Sequence, residues 1–546
     1  MLVKPFCCGF YDGKSLLVWW GGDCIRDLLN HVRKRRIVLY FHNMGRFDLW
    51  QLLTQADPSA FGIAQPIGGR IVKIPYGQCE IRDSYALVPK PLASWEKDKI
   101  DIRKLLKHRR EANRLEIIRY LKGDLRGLHS MLDNFFRRYG RHLTLASTAI
   151  KQLETRFGTK IPKFSERDDR WFRKFYFAGR VQFWSLGRHD GDFRIYDINS
   201  AFPWAMAKSH WFTAKGWTEG EGWPRTNREQ SFYYIECDSV EALPMRGDDK
   251  SVNFPNTRIK AFVTGWELLA GLKLGRIRNI KVNWHWKPNK LRSFKRYVNY
   301  YYKRKAAAKA KGDKAEEYFN KLMLNALYGV FAINPRNFRE VAIRPYYKPP
   351  IGKDGKEAPG WEQSYSDREA GLTFYQRPAR NVFDRFRNVC ISASITGCVR
   401  AFLLDAIHHS NPIYCDTDSL ITLKAPRNIG KKLGQWKLEG RFDVVWIGAK
   451  KVYAAHKADH PWRKKRGPGS PKAWVRVKGK GWAFYDDREK DKSDFKIALK
   501  GARLKIADLI AVCEGRERKG RFDAPSYSPF RATTFTTRTI RRADKR

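Results

Sequence analysis

Cysteine chemistry, membrane spans and repeats are all missing from this chain, and each absence narrows the reading. Its nine cysteines include no C-x-x-C pair and are odd in number, which excludes a zinc ribbon and argues for a reducing compartment without a disulfide framework. No run of 18 apolar residues occurs, and no signal-peptide pattern begins at Met1. A membrane span is therefore not expected, and an intracellular location is. No internal repeat or coiled coil is present. His456 and His460 stand four apart, but no glutamate follows His456 as a zinc-protease helix requires, so both are read as surface histidines.

Acid is also scarce. Against 107 Lys and Arg the chain sets 56 Asp and Glu, a formal net charge of +51. The excess runs along the whole chain, as in folded proteins that bind a polyanion and release its counterions. An anionic membrane surface is the weaker alternative partner. With 546 residues there is room for several domains, and 14% aromatic content can supply cores and stacking surfaces for bases.

The sequence around Ile413-Tyr414-Cys415-Asp416-Thr417-Asp418-Ser419-Leu420 is its most informative stretch. Apolar residues lead in and out, so the polar residues between read as the turn of a β-hairpin. Two carboxylates one residue apart repel each other, and hard divalent cations offset that repulsion. Two such ions about 3.5–4 Å apart can activate a hydroxyl and stabilise a leaving pyrophosphate. A lone D-x-D is more often an acidic surface turn, so the rest of the chain must decide.

In chain order, strands are expected at Lys4 to Phe10 and Leu16 to Trp20, a helix at Cys24 to Val32 and a strand at Ile37 to Phe41. Asn43 and Asp48 follow at that strand's carboxyl edge. Residues 61–100 look β-rich, and Arg103 to Arg114 reads as a basic, helix-rich segment. A helix from Leu115 to Phe136 puts Tyr120 and Asp124 on one face. Near Phe175-Tyr176-Phe177-Ala178-Gly179-Arg180, small residues permit close backbone approach. At Asp197-Ile198-Asn199-Ser200-Ala201-Phe202-Pro203 a strand enters a helix, leaving N–H groups at Ser200, Ala201 and Phe202 free for phosphate. Residues 210–295 are tryptophan-rich and read as irregular. Two helices, Leu291 to Lys311 and Lys314 to Ala332, flank a Gly312-Asp313 turn, and Lys321, Asn325 and Tyr328 share one face of the second. Residues 336–380 are an excursion rich in Pro and Gly. A helix from Ile391 to His408 leads into the hairpin. Lys451 and Tyr453 lie on a strand beyond it, before a basic stretch from Arg463 to Lys480. The last 46 residues hold 12 Lys or Arg against 5 acids and are expected to curl over nucleic acid.

Together these segments resemble family-B DNA polymerases, of the protein-primed branch found in bacteriophages, adenoviruses and linear plasmids (the organellar and viral type B). Asp197 to Pro203 is similar to D-x-x-S-L-Y-P, Lys321 to Gly329 to K-x-x-x-N-S-x-Y-G, Tyr414 to Ser419 to Y-x-D-T-D-S, and Lys451 to Tyr453 to K-x-Y. The resemblance implies an α/β (α+β) multidomain fold: a ribonuclease-H-like 3′–5′ exonuclease domain, then a right-hand palm, fingers and thumb. It implies an exonuclease-like domain at 1–188, palm at 189–245, an insertion for a terminal protein at 246–295 and fingers at 296–335. A second insertion follows at 336–385, then palm at 386–500 and thumb at 501–546.

By the same resemblance Asp197, Asp416 and Asp418 are the catalytic acids, holding two Mg²⁺ ions (or Mn²⁺ in their place) with the Ile198 carbonyl. Ser200, Ala201, Phe202, Lys321, Asn325 and Tyr328 bind the incoming dNTP, aided by a cation among Lys303-Arg304-Lys305. Tyr176, Ala178, Gly179, Arg400, Thr417, Lys451 and Tyr453 contact the DNA template and primer. Phe202 stands where tyrosine usually gates against ribose, and Ala326 replaces the usual serine. Asn43, Phe47, Asp48, Tyr120 and Asp124 match two exonuclease motifs. The first, D-x-E, is absent from the first 60 residues, so slow or absent mismatch excision is expected, with a sheet edge left exposed. A catalytically silent nucleic-acid-binding protein is the alternative, which intact acids oppose. A reverse transcriptase is disfavoured because Thr417 separates the two aspartates.

Overall fold

A computed structural model describes residues 4–90, 100–208, 210–211, 216–249, 251–352, 354–380, 388–459, 473–477, 481–485, 494–499, 502–503, 506–523 and 535–540. The N-terminal unit opens with a hairpin, Cys7–Tyr11 and Leu16–Trp20, closed by the helix Cys24–Arg33. That helix buries Ile25, Leu28, Leu29 and Val32 along one stripe, as its 3.6-residue spacing requires. A four-stranded sheet follows, with Val38–Phe41 at one edge, parallel to Cys79–Asp83, then Arg70–Tyr76 and Gln65–Ile67. The long helix Arg114–Tyr139 runs beneath the hairpin: a side chain at Gly9 would meet Leu121 and Leu125. Arg103 to Arg114 is not the helix its composition suggests. It is a short 3₁₀ turn, Ile102–Leu105, where the Asp101 carboxylate accepts from the Arg103 N–H, followed by irregular turns.

The centre is a seven-stranded antiparallel sheet. Its order is Phe495–Leu499, Val452–Lys457, Trp436–Ala449, Gly187–Ile198, Ser419–Thr422, Tyr414–Asp416 and Val181–Phe183. The edge strand Val181–Phe183 therefore belongs to this sheet and not to the N-terminal unit in which residues 1–188 were grouped. Beneath the sheet runs the helix Val389–Ser410, with residues 389–400 buried without a break. It is long and apolar enough to cross a membrane, yet nearly all of it is buried as a core helix. His456 is likewise no surface residue. Its strand position opposite Val444 turns the ring inward, where Nδ1 lies 2.7 Å from Asp443 and the ring packs on Phe495. His460 and most of Arg463 to Lys480 lie outside the described residues.

The described part of 210–295 holds a regular sheet, contrary to the irregular segment read from the sequence. Trp217–Gly220, Ile277–Pro288, Phe232–Val240 and Asn256–Thr264 form one antiparallel sheet, in that order, backed by the helix Gly265–Lys273. The alternation that marks such strands is blurred by aromatic and apolar residues on both faces, as at Tyr233 beside Tyr234 and Val263 beside Phe262, and by bulges opposite Phe232–Val240. This sheet also crosses the boundary expected at 245/246. The helices Lys295–Ala310 and Lys314–Ala332 pack as an antiparallel pair, and Asp313 caps the second by accepting from the Glu316 N–H. The excursion forms a three-stranded sheet of Arg339–Pro345, Leu372–Pro378 and Glu362–Asp367. It docks on the N-terminal unit through an Ala64–Val341 bridge and through Ile343, Leu372 and Phe374.

A buried ion pair links these parts. Arg400 donates to both Glu267 oxygens at 2.7 and 3.0 Å, and both side chains are almost wholly buried. Its other donors reach the carbonyls of Phe177 and Ala178. Arg400 was expected at the template. With its donors engaged inside the protein, it instead fixes the link between the N-terminal unit and the central sheet. Arg400→Met should cost about 3–5 kcal/mol by leaving Glu267 buried and unpaired, whereas adding Glu267→Met should recover most of it. Thermal melting of the two variants checks this, and an unshifted melt for Arg400→Met would refute it.

Candidate active site

Register places the acids. Asp197, on the penultimate residue of its strand, lies opposite Ser419 on one side and Lys437 on the other, and Ser419 lies opposite Asp416. Directly opposed residues project to one face of a sheet, so Lys437, Asp197, Ser419 and Asp416 form a row. Asp418 sits in the turn above it. The turn is strained: Thr417 has a φ of 58°, rare for a β-branched residue, and the Asp418 N–H donates to the Asp416 carbonyl only two residues back at 2.6 Å. Such a conformation costs on the order of 1–3 kcal/mol and persists only where its surroundings hold it. Here the Thr417 N–H donates to the Arg180 carbonyl at 2.6 Å, and the Thr417 hydroxyl donates to Asp416 at 3.0 Å. Gly179 passes so close that a Cβ there would lie 2.6 Å from the Thr417 methyl. The glycine is required by that approach.

Charge is unevenly compensated. Burial, then the neighbouring Asp197 and Asp416, push the Asp418 carboxyl up to about 7. Burial, then Glu439, push Asp197 up to about 6. Asp416 is held by the Lys451 ammonium at 3.3 Å. Among the described residues, no three His, Cys, Asp or Glu side chains are gathered closely enough to hold a metal ion. The donor set nonetheless suits hard divalent cations: two half-buried, mutually repelling carboxylates whose ionisation is held back until positive charge arrives. Ile198 is buried, and its N–H donates to the Asp418 carbonyl, tying strand to turn.

The two-helix arm faces this row. Lys321 and Asn325 are exposed and Tyr328 half-buried, on the face the spacing indicated. Tyr328 lies close enough to Asp418 for the carboxylate to raise its phenol further after burial has done so. Its ring stacks on Phe202 at 4.0 Å with the planes 2° apart. Phe202 follows Ser200, which has a left-handed φ of 52° and starts the helix Ala201–Met206. Of the Lys303-Arg304-Lys305 triplet, Lys305 is the cation beside Lys321. Burial and then the Lys321 charge hold its ammonium below the usual lysine range, while Arg304 pairs with Glu316. Sequence offered no means of choosing among the three. Among the DNA candidates, Lys451 is exposed and Thr417 half-buried, while Tyr453 is buried with its ring 5.1 Å from Tyr414. Tyr176 is half-buried and its carbonyl accepts from Arg246.

The exonuclease candidates gather in part. Asn43, Phe47, Asp48 and Asp124 line one cavity of about 1210 Å³ between the free edges of Cys7–Tyr11 and Val38–Phe41, but Tyr120 lines a separate hollow with Arg114 and Arg119. Burial, then Asp83, raise Asp48 to about 7. The Asn43 side chain accepts from Arg70 at 3.1 Å.

Acids set in a strained hairpin of an antiparallel sheet, opposite a basic helix pair, define a nucleic-acid polymerase. A family described as DNA polymerase type B, organellar and viral, matches residues 96–348. The DNA-directed DNA polymerase of Enterobacteria phage PRD1 is 34% identical over 468 residues, spanning 84% of this chain and 81% of that protein. A probable DNA polymerase of Agaricus bitorquis is 23% identical over 554 residues, covering 82% and 68%. Among solved structures, Phi29 DNA polymerase with primer-template DNA and incoming nucleotide substrates superposes with a TM-score of 0.67. That match has 18% identity and covers 97% of this chain and 95% of that one, so it shows the fold. The chain belongs to the organellar and viral type B DNA polymerases. It is a DNA-directed DNA polymerase that works with divalent metal ions.

The raised carboxyls set a pH dependence. A carboxyl whose folded pKa exceeds its unfolded value near 4 destabilises the fold once ionised. The metal-free protein should therefore lose stability as pH rises from about 4 to about 7 through Asp418 and Asp197. Asp418→Asn should melt about 1–3 °C higher than wild type at pH 8 without metal. Divalent ions should stabilise wild type more than the variant, and less at pH 6 than at pH 8. Melting curves at the two pH values check the sign, and equal metal stabilisation of both proteins would refute it.

Proposed function

We propose that this polymerase adds deoxynucleoside triphosphates to the 3′-hydroxyl of a DNA primer, or to a priming hydroxyl on a terminal protein, in intracellular replication of viral or plasmid DNA. The observation that carries this reading is the row of Asp197 and Asp416, with Asp418 above it, facing Tyr328 on the helix that presents Lys321. Asp197, Asp416 and Asp418 would hold two Mg²⁺ ions, with Mn²⁺ as a substitute. Such a pair, when bound, supplies activation of the attacking hydroxyl and stabilisation of the leaving pyrophosphate.

The chain's own residues do the positioning. Lys321 and Lys305 bind the triphosphate, with the N–H groups of Ser200, Ala201 and Phe202 on its other side. Asn325 and the stacked Phe202–Tyr328 pair border the nascent base pair and exclude bulk at the ribose. Thr417 and Lys451 hold the primer strand, Lys451 from its place beside Asp416. Residues 246–295 meet the terminal protein in this reading, and those of 501–546 follow the DNA.

Asp418→Asn should abolish nucleotide addition in a primer-extension assay while leaving DNA affinity within about twofold, because the acids hold metal while cations contact phosphate. Wild-type extension by that variant would end the assignment. Phe202→Val should admit ribonucleotides at least about tenfold better relative to dNTPs, since it removes the ring that excludes by bulk. Single-nucleotide incorporation kinetics read this, and unchanged selectivity would place the gate elsewhere.

A further inference from the structure

Where the ends of Arg114–Tyr139 and Leu145–Phe157 meet the helix Lys295–Ala310, a cavity of about 210 Å³ is lined by Arg138, Arg156 and Arg304, together with Tyr300 and Gln152. None of the residues assigned to nucleotide addition borders it. Among the described residues, three guanidinium groups meet there against one carboxylate. Glu316 lies 3.7 Å from Arg138 and pairs with Arg304, so about two positive charges stay uncompensated within the cluster. The Tyr300 ring orders them: Arg156 and Arg304 lie over it at 5.1 and 5.5 Å, and Arg304 donates to its hydroxyl at 3.2 Å. Arg156 is steadied further by donating to the side-chain amide oxygen of Gln152 at 3.2 Å. Guanidinium groups held apart from one another around a small cavity are the arrangement that takes up a multiply charged oxyanion through several charge-assisted hydrogen bonds.

We propose that this cavity is a binding site for phosphate groups, separate from the nucleotide-addition site. Arg138 and Arg156 come from the N-terminal half, whereas Arg304 comes from the two-helix arm that also presents Lys305 to the nucleotide. A phosphate held by all three ties the arm to the N-terminal half and restrains its position. The phosphate comes from a free polyphosphate, such as a nucleotide tail, or from the backbone of a DNA strand crossing this surface.

Phenylglyoxal modification of the full chain in EDTA, mapped by peptide mass spectrometry, tests this. It reads arginines and is blind to Lys305 and Lys321. Saturating sodium tripolyphosphate or a single-stranded oligonucleotide should slow modification of Arg138, Arg156 and Arg304 together by at least about fivefold. In Arg156→Gln the concentration for half-protection of Arg304 should rise by about tenfold, with dNTP incorporation unchanged and the melting curve intact. Protection by tripolyphosphate assigns a free polyphosphate, and protection by the oligonucleotide alone assigns a DNA backbone. If neither probe slows modification, or if Arg156→Gln is protected as well as wild type, the arginines serve only to pair Glu316 and pack the helices, and the proposal fails.

Discussion

The turn that carries Asp416 and Asp418 depends on a salt bridge that never touches it. Arg400 and Glu267 are buried together, and taking two charges out of water is costly enough that such a pair is seldom kept for stability alone. Its value here is geometric. By holding the Phe177 and Ala178 carbonyls, Arg400 fixes where Gly179 and Arg180 run. Gly179 then lies against Thr417, and the Arg180 carbonyl takes the Thr417 N–H. The strained turn that presents Asp418 is thus supported from helix Val389–Ser410 through the link formed by residues 177–180. Thr264, whose hydroxyl donates to Glu267, brings the sheet of residues 217–288 into the same network.

Repulsion among the acids is the opposing constraint. Burial first, and then neighbouring acids (Asp197 and Asp416 for Asp418, Glu439 for Asp197), raise both carboxyls in the absence of metal. The fold tolerates it because Lys451 compensates Asp416 and because the surrounding sheet is antiparallel, continuous and well buried. An active site of this kind stores unfavourable electrostatics that a divalent ion relieves, so the same carboxylates that lower stability supply metal affinity.

Much of this was legible in the sequence because the site is built from local patterns. The hairpin, the strand-to-helix turn at Asp197 to Pro203 and the shared face of Lys321, Asn325 and Tyr328 each follow from spacing within a single element. What could not be read were the partners that tertiary structure selects. Nothing in the Thr396-Gly397-Cys398-Val399-Arg400 stretch says that its arginine meets Glu267, 133 positions away. The inward turn of His456 is set by its pairing with a neighbouring strand. The sheet between 217 and 288 hid behind aromatic residues on its outer face, such as Tyr234, Phe262 and Trp284, and behind bulges that break simple alternation. Among Lys303-Arg304-Lys305 all three carry charge, and only packing distinguishes them.

That last distinction ties the two halves of the molecule together. The helix Lys295–Ala310 buries Tyr297, Val298, Tyr301 and Ala308 and so has one fixed orientation. With that face anchored, consecutive residues must point in different directions. Arg304 turns toward Glu316 and Arg138, and Lys305 toward Lys321. A rotation of the helix that improved one contact would therefore spoil the other. Tyr301 also reaches the N-terminal half, its hydroxyl 3.5 Å from Gln152 and its ring 6.4 Å from Tyr139. The positions of Lys305 and Lys321 are consequently set by packing against the N-terminal half as much as by the central sheet. That half thus has a structural part in placing the face of the two-helix arm that looks toward the acids, whatever its own chemistry.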